Sequence, residues 1–214
     1  STGAGAALVA RGAVVRDAVV IAGGPQVDGV RLSSGASTLE RSVIDVDTGA
    51  GVAVTHAGLL TVASSFLSAR GAPVLRCDGQ ATVRSSTLVS DLVAIDVTAA
   101  GSLSLTSSVV FGDPGISALG APPWLSSSAV AFDDTGTLVL AGAEQVTTAQ
   151  RLAELGCQAC LVVPASLVDA SGHLTAGANA LVDAGDPEDS AADDIDGEVR
   201  PLGGAPDIGC DERP

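Results

Sequence analysis

The densest chemistry in this 214-residue chain is a run of acids near its end. Residues 183 to 198 hold eight carboxylates and no base: Asp183, Asp186, Glu188, Asp189, Asp193, Asp194, Asp196 and Glu198. Hard cations take clustered carboxylate and carbonyl oxygens from loops. Asp194-Ile-Asp196-Gly197 resembles the opening of a calcium loop, but the bidentate Glu such a loop needs further on is out of register. The spacing therefore points away from an EF-hand and towards a structural calcium ion held by some of Asp183, Asp186, Asp194 and Asp196. The competing reading is a solvated acidic loop pinned by Arg200 and backbone amides. Arg200 stands nearly alone among these acids and is expected to pair with Asp194, Asp196 or Asp207 and so to close the tail onto the last coil. No cofactor beyond that calcium is expected.

The remaining reactive residues do not assemble into a recognisable machine. Of the four cysteines, Cys77 lies at an inward-facing position, where a thiol packs as a small apolar group. Cys157 and Cys160 form a CxxC that follows a helix instead of opening one, so a redox motif is disfavoured. Zinc would need two further ligands, and only Cys210 and His173 offer themselves, at a distance. A disulfide among Cys157, Cys160 and Cys210 is the better reading for an oxidising compartment, with the pairing open. Asp133-Asp134, with Trp124 nearby in sequence, is the nearest approach to an acid pair, though a turn before Thr135-Gly136 explains it. His56 and His173 are far apart and carry no motif. No catalytic residues are assigned.

These residues must be positioned by a repeat of about 22 residues that runs through the first half of the chain. Its core reads Val15-Arg-Asp-Ala18-Val19-Val20, Leu39-Glu-Arg-Ser42-Val43-Ile44, Val62-Ala-Ser-Ser65-Phe66-Leu67, Val83-Arg-Ser-Ser86-Thr87-Leu88 and Leu105-Thr-Ser-Ser108-Val109-Val110. Each unit opens with an alternating triplet, such as Val30-Arg31-Leu32 or Leu75-Arg76-Cys77, and a Gly (Gly35, Gly58, Gly79, Gly101) marks the bend that follows. Three short strands per unit describe one coil of a parallel β-helix. The inward columns are Leu32/Val54/Cys77/Val97, Val15/Leu39/Val62/Val83/Leu105 and Val20/Ile44/Leu67/Leu88/Val110. Ala18, Ser42, Ser65, Ser86 and Ser108 form a small-residue column at a corner, where Ser can bond backbone. The expected fold is all-β: a right-handed parallel β-helix of about six coils with one short helix near residues 147 to 155 and a loop-rich C-terminal cap. Coils span 1–142, and 143–214 carry the helix, the final coils and the acidic cap within the same domain.

Composition narrows the partners. The formal charge is −15 with no Lys, which opposes nucleic acid and anionic membranes, since both need clustered cations. Mean hydropathy is high, +0.43, yet no apolar run reaches membrane-spanning length, so no transmembrane segment is expected. Aromatic platforms for sugar chemistry are scarce: Phe66, Phe111, Phe132 and Trp124, with no Tyr. The outward column Thr38, Thr61, Thr82, Ser104 is a hydroxyl ladder, but its irregular neighbours argue against an ice-binding face. The chain begins Ser1-Thr2-Gly3 inside a coil, without a signal peptide or lipidation motif, and reads as a fragment whose upstream coils are missing.

From Pro164 the repeat gives way to Gly177-Ala-Asn-Ala-Leu-Val-Asp183-Ala-Gly185-Asp186-Pro187, then Asp194-Ile-Asp196-Gly197-Glu-Val-Arg200-Pro201 and Asp207-Ile208-Gly209-Cys210-Asp211-Glu212. This order resembles the C-terminal region of secreted bacterial parallel β-helix proteins of the choice-of-anchor Q type, through DxDGxxRP followed by DIGxxE. Asn179-Ala180 stands where that pattern has Ser-Pro, Val163 where it has Asp, and Cys210 where it has Ala. The resemblance implies a secreted or bacterial cell-surface protein and no defined activity. Together these readings favour a non-enzymatic structural or adhesive β-helix, with a carbohydrate-binding or carbohydrate-active β-helix as the alternative. Its partners would be other cell-envelope subunits, a second copy through an open N-terminal coil, or glycans.

Overall fold

The structure, a computed structural model, describes residues 5–23, 27–32, 34–47, 52–54, 58–119, 125–188 and 191–213, with backbone alone at 52–54 and 125–128. Residues 1–3 and 49–51, His56, Trp124 and Asp189 lie outside the described residues, as do the side chains of the Val52–Val54 strand. The chain forms an all-β parallel solenoid of about five turns with coils about 22 residues apart. Three sheets run along it. The first stacks Gly5–Ala10, Val27–Leu32, Val52–Val54, Leu75–Cys77, Ile95–Val97, Ile116–Ala118 and Val139–Ala141. The second stacks Val14–Arg16, Gly35–Glu40, Gly58–Ala63, Gln80–Arg84, Ser102–Thr106 and Leu125–Ser128. The third stacks Val19–Ala22, Val43–Val46, Phe66–Ala69, Thr87–Ser90, Val109–Phe111, Ala131–Asp133 and Leu161–Val163.

The columns read from the sequence are the registers observed. Val15, Leu39, Val62, Val83 and Leu105 pair in succession, as do Val20, Ile44, Leu67, Leu88 and Val110. A one-residue slip would turn each column outward, so burial fixes the register. Leu39, Leu67, Leu88 and Leu105 are fully buried, and each such side chain stabilises the fold by about 1.5–3 kcal/mol.

The corner column is a hydrogen-bonded ladder. Each Ser hydroxyl donates to a carbonyl two residues back: Ser42 to Glu40, Ser65 to Ala63, Ser86 to Arg84 and Ser108 to Thr106, at 2.8–2.9 Å. Its oxygen also accepts the backbone N–H of the coil before: Ala18, Ser42, Ser65 and Ser86, at 3.2–3.3 Å. The residue preceding each ladder position takes the left-handed conformation: Asp17, Arg41, Ser64, Ser85 and Ser107 have φ of 45–51°. The corner is thus turned by non-glycine residues. Gly79 and Gly101 serve a different purpose from the sharp bend expected of them. A Cβ on either would sit 2.4 Å from the Gly58 carbonyl oxygen or 2.3 Å from that of Cys77, so their task is to let coils stack.

After the last strand of the first sheet the chain doubles back as an antiparallel strand, Glu144–Val146. It then forms the expected helix, Ala149–Glu154, capped by the Thr148 hydroxyl accepting the Arg151 N–H. Val146, Leu152 and Cys157 complete the solenoid core at that end. The segment from Pro164 onward is loop-rich, as expected, but it covers a flank, the outer face of the third sheet. There Leu174, Ala178, Leu181 and Ile208 form a second apolar cluster with Val109, Phe111 and Ala131. Among the described residues no helix is long and apolar enough to cross a membrane.

Candidate functional site

The tail descends the left-handed corner coil by coil. The Asp186 N–H donates to the Ser107 hydroxyl (2.8 Å) and the Ala191 N–H to that of Ser85 (2.9 Å). The Ser64 hydroxyl donates to the Asp193 carbonyl, and Arg41 reaches the Asp193 carboxylate. The doublets Ser64-Ser65, Ser85-Ser86 and Ser107-Ser108 therefore split their work: the second serine builds the ladder and the first holds the tail. Sequence reasoning assigned only the second. The recurrence of Ser at both positions in the middle coils was the available signal.

The terminal motifs interlock. Arg200 is buried and pairs with Glu212 at 3.2 Å. Its guanidinium also donates to the carbonyls of Asp207, Gly209 and Asp211. It closes the tail on itself, and Glu212 takes the place of the acids expected to pair with it. Glu212 in turn accepts N–H groups of Leu202 and Asp207. Asp207 accepts from Asp183 and Arg213, and Asp211 from Leu174. These carboxylates do for an irregular chain what ladders do for strands. Burial holds Asp207, Asp211 and Glu212 above their ordinary values against the pull of these donors.

The candidate calcium residues are divided by the fold. Asp183 accepts the Ala205 N–H, and Asp186 accepts that of Glu188. Asp194 Oδ1 closes its own turn by accepting the Asp196 and Glu198 N–H groups. Only Asp196 joins the one cluster of three or more metal-ligating side chains among the described residues, with His173 and Asp211, whose ligand atoms lie within 4.8 Å of one another.

His173 is placed by a tight loop in which Asp169 Oδ1 accepts the Ser171 and His173 N–H groups and the Ser171 hydroxyl. Gly172 has φ +96°, and a Cβ there would meet the Phe66 ring at 2.7 Å. Glycine thus lets this loop press onto the third sheet. His173 Nδ1 lies 3.0 Å from Ser171 Oγ and Nε2 3.0 Å from Asp196 Oδ2. Burial pulls the imidazole down, but Asp196, Asp211 and Asp169 together hold it above its ordinary value. The Ser-His-Asp chain has the order of a hydrolase triad without its logic. Ser171 gives its proton to Asp169, so it is not a nucleophile activated by imidazole.

His173 and Asp196 border a groove of about 450 Å³ whose floor includes Val19, Ile21 and Val43. Val19 and Ile21 are 70% and 76% exposed. A second groove of about 400 Å³ adjoins it at Asp45 and Phe66 and carries Arg70 and Asp91.

The other sequence candidates are structural. Cys157 and Cys160 form a disulfide. Cys210 and Cys77 are buried free thiols, pushed up by burial to about 12 and about 11. Asp133 caps the Thr135 N–H, and the Asp134 N–H donates to the Val163 carbonyl, which is the turn the sequence allowed. Thr38, Thr61, Thr82 and Ser104 do stack in register. No protein-family model, curated protein or solved structure matches the chain.

Proposed function

We propose that this protein is a non-catalytic β-helix of a cell surface, secreted and built to present rigid faces to other envelope components or to glycans. The observation that carries the reading is the treatment of its polar groups. The serine ladder, the tail clamps and the Arg200–Glu212 pair each spend their hydrogen-bonding capacity on the fold itself. The resemblance of the terminal motifs to choice-of-anchor Q proteins points the same way, and the Cys157–Cys160 disulfide suits an oxidising compartment.

Glycan binding is the second reading, favoured by the two adjoining grooves with their carboxylates and Arg70. The protein is to be incubated with bacterial and plant polysaccharides, and both retention and new chain ends measured. Retention without cleavage establishes a glycan-binding surface, and silence on both supports a structural subunit. New chain ends overturn the non-catalytic reading.

A further inference from the structure

We infer that His173, Asp196 and Asp211 bind one divalent transition-metal cation of the zinc class at the mouth of the larger groove. Their ligand atoms converge within 4.8 Å, and His173 Nε2 and Asp196 Oδ2 are already 3.0 Å apart. Ligands of a tetrahedral zinc site, with bonds near 2.0–2.2 Å, lie about 3.3–3.6 Å from one another. A small inward movement of the Asp211 carboxylate completes three protein ligands. Two of the three border the groove, where a water or a ligand group would take the remaining position.

Two further features point to a cation. The first is a charge deficit with a buried orphan. Asp194 is fully buried and its Oδ2 meets no hydrogen-bond donor among the described residues. It belongs to the same turn as Asp196, and the intervening Ile195 N–H donates to the carbonyl of Cys210, next to Asp211. Asp169, Asp196 and Asp211 thus face a single imidazole, and Asp194 adds its charge beside Asp211. A buried carboxylate oxygen without a donor is costly, and a nearby cation offsets that cost.

The second feature is the imidazole's tautomer. Ser171 donates its only hydroxyl proton to Asp169, so its oxygen can only accept from Nδ1–H. In neutral His173 the Nε2 lone pair then faces Asp196 and Asp211. Metal-binding histidines are oriented this way, with the second ring nitrogen donating to a fixed acceptor. Without a metal the same position must hold a proton, and the cation displaces it to solvent. Imidazole nitrogen is a ligand for zinc-class ions, whereas calcium takes oxygen alone. The site therefore differs in ligands and in metal from the calcium set read in the sequence.

The test is calorimetric titration of chelator-treated protein with Zn²⁺ and separately with Ca²⁺, together with the visible spectrum of the Co²⁺ form. One Zn²⁺ per chain is expected, lost about 100-fold or more in affinity in His173→Gln and in Asp196→Asn. Ser171→Ala, which removes the acceptor for Nδ1–H together with the hydroxyl's bond to Asp169, is expected to weaken it about 10-fold. The side chain of Asp196 is mostly exposed, so its variant keeps the fold, which circular dichroism verifies. Zn²⁺ affinity unchanged in His173→Gln and Asp196→Asn would place the metal elsewhere and overturn the assignment. So would the lack of Zn²⁺ binding at 100 µM ion, about the weakest affinity this site would warrant, or Ca²⁺ binding as tightly as Zn²⁺.

Discussion

The coils and the tail solve the same problem, an unpaired backbone, by opposite means. In the coils, parallel ladders and a serine column pair each peptide with the coil beside it, and Val, Leu and Ile fill the inside. The tail begins after the last solenoid strand, Leu161–Val163, and its regular structure among the described residues is a single 3₁₀ turn, Ala165–Leu167. From there, carboxylates of Asp169, Asp183, Asp194, Asp207, Asp211 and Glu212 accept backbone N–H groups alongside scattered backbone carbonyls. A ladder is indifferent to pH, whereas a carboxylate clamp titrates. The tail should therefore open on its own, in response to conditions the solenoid ignores.

The sharpest way to break the comparison is Arg200→Ala. It strands Glu212 and three carbonyls in a buried site, and removing one partner of such a pair costs about 3–5 kcal/mol. Protease cleavage within residues 164–213, with the coils left intact, is the expected result. Loss of the whole fold would show that coils and tail are one cooperative unit. Leu88→Ala, a core cavity, should cost about 2–5 kcal/mol and appear as global destabilisation in denaturant unfolding.

Smaller effects separate the two serines of one doublet. Ser85→Ala leaves the Ala191 N–H without its partner, for about 1–3 kcal/mol, and should loosen the tail alone in hydrogen exchange. Ser86→Ala removes two ladder bonds and should lower the unfolding midpoint of the solenoid instead.

The gentlest perturbation is pH. Burial raises Asp207 and Asp211 above 3.8 and Glu212 above 4.5. His173, pulled down by burial but raised more by Asp196, Asp211 and Asp169, sits above 6.5. All four bind protons more tightly when the tail is docked. Their stabilisation is full below the ordinary values and is lost as pH rises through the docked ones; in metal-free protein His173, which starts from 6.5, is the one expected to lose its share between pH 5 and pH 8. Asp169 opposes them. Burial works to raise it, but Ser171 and His173 hold it below 3.8, so its contribution is lost as pH falls. Limited proteolysis of the tail at pH 5 and pH 8 reads the balance, with faster cleavage expected at pH 8.

The contrast also explains what could be read from residues alone. Period-22 spacing and apolar alternation fix the coils because each column repeats the same local problem, so Leu39, Val62, Val83 and Leu105 announce one another. The helix was legible from Thr148 and Gly156 for the same local reason. The tail has no period, and its partners are distant. Arg200 meets Glu212, and Ala191 meets Ser85 across 106 residues. His173 carried no motif because its neighbours Asp196 and Asp211 are 23 or more residues away and are brought in by turns around Gly172, Gly197 and Gly209.

Amide hydrogen exchange at pH 5 and pH 8, corrected for intrinsic rates, tests the central claim most directly. The expected result, in metal-free protein, is a selective loss of protection at pH 8 at Ser171, His173 and Leu174, whose N–H groups end on Asp169 and Asp211, two of the carboxylates that hold the His173 proton. Protection should hold at Ser65, Ser86 and Val109 in the coils. Equal loss in both regions, or none in either, would contradict a tail docked by charge onto an independently stable solenoid.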